Sequence, residues 1–168
     1  MNIQIIQANY LDSTHARDIP RLLASYAMDP MGGGEALPQS VLHDLVPALA
    51  KLPHAFSVLA YVNGQPAGLV NCFEGFSTFY CKPLINIHDM VVLKEFRGAG
   101  LSQRLLLKVA EIAVAKGCCK LTLEVLAGNA RARAAYQRFG FSAYELDPEL
   151  GAAVFWQKIL PETQAIRP

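Results

Sequence analysis

The segment Arg97-Gly98-Ala99-Gly100-Leu101-Ser102 joins two patterns that cannot belong to one element. Before it, residues 85–93 read as a strand; after it, Leu101, Leu105, Val109, Ile112 and Ala113 recur at the helical period within residues 100–116. A strand must therefore feed a helix through a turn that contains two glycines. The first amides of such a helix lack intrahelical partners, and together with the macrodipole they favour an anion. Gly98 and Gly100 let the chain approach a phosphate with no side chain between, Arg97 adds charge, and Ser102 adds a hydroxyl donor. An ordinary tight turn is the other reading of a Gly-X-Gly pair taken alone. Two rival phosphate motifs fail: Gln103 occupies the position of the third small residue of a dinucleotide-binding fingerprint, and the Gly-Lys-Ser/Thr of a P-loop is absent.

The rest of the chain reads as short blocks around this junction. Residues 2–8 suggest a strand, and Asp12 and Ser13 can cap a helix over 15–28 that carries Ile19, Leu22, Leu23 and Tyr26 on one side. Asp29-Pro30-Met31-Gly32-Gly33-Gly34 is the richest stretch in helix breakers, and it reads as a mobile linker or as a substrate-facing loop. Pro38 opens a second helix with Val41, Leu42, Leu45 and Leu49, in which Pro47 predicts a kink or break. Asn63-Gly64, between apolar runs at 55–62 and 66–73, signals a two-residue hairpin turn because both central positions need positive φ. Gly117 stops the helix that follows the glycine turn; residues 119–125 are a further strand, 129–139 a helix ended by Gly140, and 141–145 with 153–159 a closing pair of strands. The order β-α-α-β-β-β-α-β-α-β-β predicts an α/β fold of mixed α+β character, a mostly antiparallel central sheet with helices on both faces.

At 168 residues the chain fits a single domain spanning 1–168. Fifteen basic residues against fourteen acidic ones, scattered along the chain, give no broad positive field, so nucleic acid is not an expected partner. Residues 1–10 lack the charged and apolar regions of a secretory signal, and polar residues interrupt every long apolar stretch; the expectation is a cytoplasmic protein with no membrane partner. Cys72, Cys81, Cys118 and Cys119 show neither paired zinc-ligand spacing nor a Cys-X-X-Cys, and His15, His43, His54 and His88 fall on no common helix face. Reduced thiols and no metal are expected.

With Leu105-Leu106 behind it, the 97–102 turn resembles the acetyl-CoA loop of the GNAT superfamily of N-acetyltransferases. Asn129, Ala132, Tyr136, Gly140 and Phe141 are similar to a second pattern of that family, on the helix after its fifth strand, and the element order corresponds from about residue 3 to residue 160. Glu95 departs from the Gln or Arg that the family often places three residues before the first glycine, which leaves Arg97 as the charge contact. The resemblance implies a single GNAT domain with a splayed sheet, acetyl-CoA as cosubstrate and no metal. It implies cofactor contacts from the strand residues Met90, Val91 and Val92, from the turn Arg97, Gly98, Ala99, Gly100, Leu101 and Ser102, and from Asn129 and Tyr136.

By the same resemblance Tyr136 stands beside the sulfur, where a phenol can protonate the departing thiolate; packing as a core aromatic is the alternative. His88-Asp89-Met90-Val91-Val92 resembles the strand in which spermidine/spermine acetyltransferases carry Glu-Asp before three apolar residues, and their proposed base aligns with His88. Strand alternation puts His88 on the side of Met90 and Val92, and Asp89 on the other, where an ion pair or helix cap suits it. An imidazole titrates in the neutral range and can act as the base; a satisfied core histidine fits equally well. The acceptor is expected between the first two helices and residues 70–90, where Phe73, Phe76, Phe79 and Tyr80 are either core or acceptor contacts and Glu35 and Glu74 are candidate anions. The favoured function is transfer of an acetyl group to a primary amine of a small molecule in a ternary complex. A protein or peptide amine and a non-catalytic acyl-CoA-binding regulatory domain are the alternatives, and the resemblance admits a homodimer.

Overall fold

The computed structural model describes residues 1–145, 147 and 149–160; the expected single domain over 1–168 runs past them, and residues 161–168 lie outside the described part. Among the described residues five strands form one sheet in sequence order: β1 (Ile3–Gln7), β2 (Ala55–Val62), β3 (Gln65–Ser77), β4 (Lys82–Val92) and β5 (Leu121–Leu123). The first four pair antiparallel, and β4 pairs with β5 in parallel. The Asn63-Gly64 turn has φ of 50° and 79°, the positive pair that this hairpin requires.

Helix α1 (Ser13–Ala27) starts where the Asp12 side chain accepts from the amides of Thr14 and His15. Helix α2 (Gln39–Leu49) continues past Pro47 and does not break there, since Pro47 sits in the last turn on an exposed side. Ile19, Leu22 and Val46 of these helices bury one face of the sheet through Leu59, Tyr61, Leu69 and Val91. Helix α3 (Leu101–Ala115) covers the opposite face with Leu105, Leu106 and Val109 against Val58, Val70, Ile85 and Ile87, and α4 (Ala130–Phe139) extends that layer through Tyr136 and Phe139. Helices thus flank both faces of a mixed sheet.

The parallel pairing is short. Only Ile85, Asn86 and Ile87 of β4 find partners, in Leu121, Thr122 and Leu123, so β4 and β5 part company before residue 88. The sheet opens there into a splay. On its other side β4 stays paired with β3 as far as Val92, but the register slips: Cys72 lies opposite Ile87 and Asn71 opposite Asp89, which leaves His88 as the extra residue of a bulge.

The expected closing strands are the main difference from the sequence reading. Residues 141–145 and 153–159 form no ladder among the described residues beyond an isolated antiparallel bridge between Glu145 and Ala152 and an amide of Ala153 that donates to the Tyr144 carbonyl. Phe155 and Trp156 are 73% and 84% exposed. An apolar alternation identifies strand-forming chain but supplies no partner, and here β5 pairs with β4 over a stretch too brief to template another strand. Among the described residues no helix is long and apolar enough to cross a membrane.

Candidate active site

The splay and the α3 N-terminus open onto the same cleft, of about 480 Å³. One wall is the unpaired edge of β4, through Met90, Val91 and Val92. The floor is the strand-to-helix turn, with Arg97, Gly98, Gly100, Leu101 and Ser102, and the far wall is α4 with Asn129 and Tyr136. The structure therefore gathers nearly all of the sequence-predicted cofactor residues into one concavity.

The turn is shaped as an anion cradle. After a short 3₁₀ turn (Lys94–Phe96), Gly98 and Gly100 adopt φ of 87° and 74°, values that a side chain makes costly. Gly100 is the N-cap of α3, and no side chain caps that end, so the first helical amides keep their hydrogens for a ligand. A Cβ built on either glycine would meet no protein atom within 4 Å, because both face open space on the cleft floor. This geometry fits the diphosphate of coenzyme A. Among the described residues no group of three or more His, Cys, Asp and Glu side chains is placed to hold a metal ion.

Arg97 is more committed than the sequence indicates. Its Nε donates to the Val92 carbonyl oxygen at 3.0 Å and its Nη2 to Asp29 Oδ2 at 3.3 Å, so it ties the turn both to the end of β4 and to the breaker-rich loop after α1. Asp29 also accepts from the Met31 amide at 3.0 Å. That bond, with the Arg97 guanidinium behind it, holds the Asp29 carboxyl below its usual range against a smaller opposing effect of burial. Asp29 and Met31 both line the cleft, so the loop is part of the site wall. Ala99 points elsewhere: its methyl joins the apolar cluster of Val62, Ala67 and Leu101.

On α4, Asn129 accepts from the Ala132 amide at 3.1 Å through Oδ1, the cap that starts the helix, while its Nδ2 has no such duty. Tyr136 packs edge-on against Phe141, 5.9 Å between ring centres, and burial followed by the neighbouring Tyr26 pushes its phenol up to about 12. Tyr136 is therefore a protonated donor throughout the neutral range. Gln103 Nε2 donates to the Ala135 carbonyl oxygen at 2.9 Å and locks α3 to α4, which fixes Tyr136 relative to the turn.

His88 does not lie where simple alternation puts it. The bulge shifts the phase of β4, so Ile85, Ile87, Met90 and Val92 share the face under α3 while Asp89 and Val91 take the other. His88 is exposed, outside the cleft walls, with its ring edge-on to Phe73 at 5.4 Å. Asp89 makes neither an ion pair among the described residues nor a helix cap; it accepts from Asn71 Nδ2 at 3.0 Å. Of the aromatics before β4, Phe73 is half-buried, whereas Phe76, Phe79 and Tyr80 stand exposed at the hairpin tip and join no core. Glu74 is held by Lys116 Nζ at 2.9 Å, and Glu35 is exposed outside the cleft.

Tyr26, Asp29 and Arg131 are cleft residues that sequence reasoning did not assign. Tyr26 was hidden in the apolar stripe of α1, although a phenol in the last turn before a glycine-rich loop was a usable signal. Arg131 lies in the first turn of α4, where the macrodipole disfavours a cation; that anomaly was legible.

A sequence model described as the acetyltransferase (GNAT) family matches residues 21–141, more than half of the chain. The chain belongs to this family. The thialysine N-epsilon-acetyltransferase of Bos taurus is 36% identical over 83 residues, covering 46% of this chain and 48% of its own length. Its counterpart of the same name in Sus scrofa is 31% identical over 110 residues, covering 62% and 60%. The chain thus spans about half the length of the curated relatives it matches. An aminoglycoside acetyltransferase from an uncultured soil metagenomic sample, solved with trehalose, superposes with a TM-score of 0.75 at 15% identity over 94% of this chain and 96% of that one. An aminoglycoside N-acetyltransferase in complex with the bisubstrate analogue CoA-S-monomethyl-acetylneamine gives 0.73 at 19% identity, over 95% and 100%. At such identities the structures speak to the fold.

Proposed function

We propose that this protein catalyses transfer of an acetyl group from acetyl-CoA to the primary amine of a small molecule, with both substrates bound at once. The observation that carries the reading is the continuity of one cleft from an uncapped helix N-terminus at Gly100, along the unpaired edge of β4, to the phenol of Tyr136. Diphosphate belongs at the first, an extended pantetheine arm can pair with the second, and a leaving sulfur can be met by the third.

Acetyl-CoA supplies an activated acyl carbon. The chain's own contributions are positioning and proton transfer. Main-chain N–H groups on the free edge of β4 are suited to stabilise negative charge on the carbonyl oxygen as the amine nitrogen attacks. As the new C–N bond forms and the C–S bond breaks, Tyr136 gives its proton to the sulfur. The proton lost by the amine passes through water to His88, which is exposed and lies two residues before Met90 of the cleft wall. The names of the curated relatives support a small amine as acceptor, because thialysine is one.

Calorimetry with coenzyme A, then thiol release over a panel of amines, tests the proposal. Coenzyme A binding with amine-dependent thiol release is the expected result. Binding with no release by any amine would favour a regulatory acyl-CoA module, and no binding would remove the cradle.

A further inference from the structure

The breaker-rich loop after α1 is a built structure. The Asp29 amide donates to the Tyr26 carbonyl oxygen at 2.9 Å, the Asp29 carbonyl oxygen accepts from the amides of Gly32 at 2.7 Å and Gly34 at 3.2 Å, and the Glu35 amide returns to the Ala27 carbonyl oxygen at 3.2 Å. Gly32 is seated on Tyr26 so closely that a Cβ there would lie 2.0 Å from the Tyr26 carbonyl oxygen and 3.1 Å from its ring. The two carboxylate oxygens of Asp29 divide the remaining work. Oδ1 accepts from the Met31 amide and caps the short turn at Pro30–Gly32, while Oδ2 accepts from Arg97 Nη2.

That ion pair stands between two concavities. Asp29, Val91, Val92 and Arg97 line the cleft, and the same four residues line a second hollow of about 400 Å³ that reaches Ser25 and Met28 at the end of α1. Opening the pair would join the two and remove the cleft's wall on that side. By charge alone the pair is a poor arrangement for a site that takes a diphosphate. It places a carboxylate in the wall, and it occupies a guanidinium that would otherwise be free for the anion. Arg97 already spends its Nε on the Val92 carbonyl oxygen, which fixes the guanidinium to the end of β4. What the arrangement gains is a loop fastened to the glycine turn and to β4 at one point, with Tyr26 and Met31 facing the cleft on either side of the fastening.

We propose that Asp29 is a positioning residue for coenzyme binding: through Arg97 it holds the 29–34 loop in place as a wall of the cleft. Arg97 then serves the coenzyme chiefly through this clasp, and the main-chain amides at Gly100 carry the diphosphate. This rests on the acetyltransferase reading and adds what closes that side of its site.

Calorimetry with coenzyme A tests the clasp, because the two roles open to Arg97 predict opposite signs. Asp29→Asn keeps an oxygen for the Met31 amide and loses the acceptor for Arg97, so the denaturation midpoint should hold while coenzyme A binds about tenfold more weakly. In an Arg97→Met background the same change should bring no further loss, and Gly32→Ala, which leaves every charge in place, should also weaken binding. If Arg97 acts by direct contact with the diphosphate, removing a competing carboxylate tightens binding. Tighter or unchanged affinity in Asp29→Asn therefore overturns the proposal, as does an equal further loss in the Arg97→Met background. Unchanged affinity in Gly32→Ala overturns the loop as the element held. Absence of coenzyme A binding in the wild type overturns the acetyltransferase reading and the clasp with it.

Discussion

Along β4, residues 82–87 lead into a stretch held by β3 on one side and β5 on the other, whereas residues 88–92 keep β3 alone. The first half buries Ile85 and Ile87 in the core beneath α3. The second carries the bulge, the cleft wall and Asp89. A single strand is thus scaffold where its hydrogen-bonding groups are used up, and an open edge on the cleft where a neighbour has been withdrawn. Unpaired main-chain groups are expensive when buried, so they persist where a ligand or water can complete them.

The division can be broken most forcefully from the scaffold side. Ile85→Ala should cost about 2–5 kcal/mol of stability by chemical denaturation and leave coenzyme A affinity intact. A parallel loss of affinity would show that the two halves are not separable. Next in size, Tyr136→Phe should lower kcat by roughly a hundredfold with little change in coenzyme A binding, within the usual reach of general acid catalysis. Because the Tyr136 phenol is raised from 10.0 to about 12, the wild-type rate should show no descending limb from this group below pH 10. The same sign makes the folded state lose stability as pH rises beyond 10.0, since ionisation is then easier in the unfolded chain.

Gly100→Asp places a negative side chain at the uncapped helix end and should weaken coenzyme A about tenfold by calorimetry. Unchanged affinity would move the diphosphate elsewhere. The smallest effect is expected at the bulge. His88→Ala should lower kcat/KM by a few-fold; a value identical to wild type would leave His88 with its packing against Phe73 as its role.

Legibility in the sequence followed the range of the interactions. The hairpin at Asn63-Gly64, the cap at Asp12, the stop at Gly140 and the glycine turn before α3 are settled by neighbours in the chain, and the structure places each where the residues indicate. The face occupied by His88 was read wrongly because a bulge adds one residue without any local signature in Ile87-His88-Asp89. The closing strands failed for a related reason. Their apolar alternation is real, but pairing needs a second edge, and nothing within the segment specifies one.

The sequence by itself determined the elements as far as α4, the order in which they follow one another and the glycine turn before α3, because backbone conformation at glycine, asparagine and helix ends is governed by atoms a few bonds apart. Only the tertiary structure decided that Arg97 reaches Asp29, that Ser57 and Asn71 lead to Asp89, and that β4 separates from β5 after Ile87. Those contacts join residues far apart in the chain, and their geometry is set by how two helical layers close on a twisted sheet, a collective packing problem that no local pattern encodes.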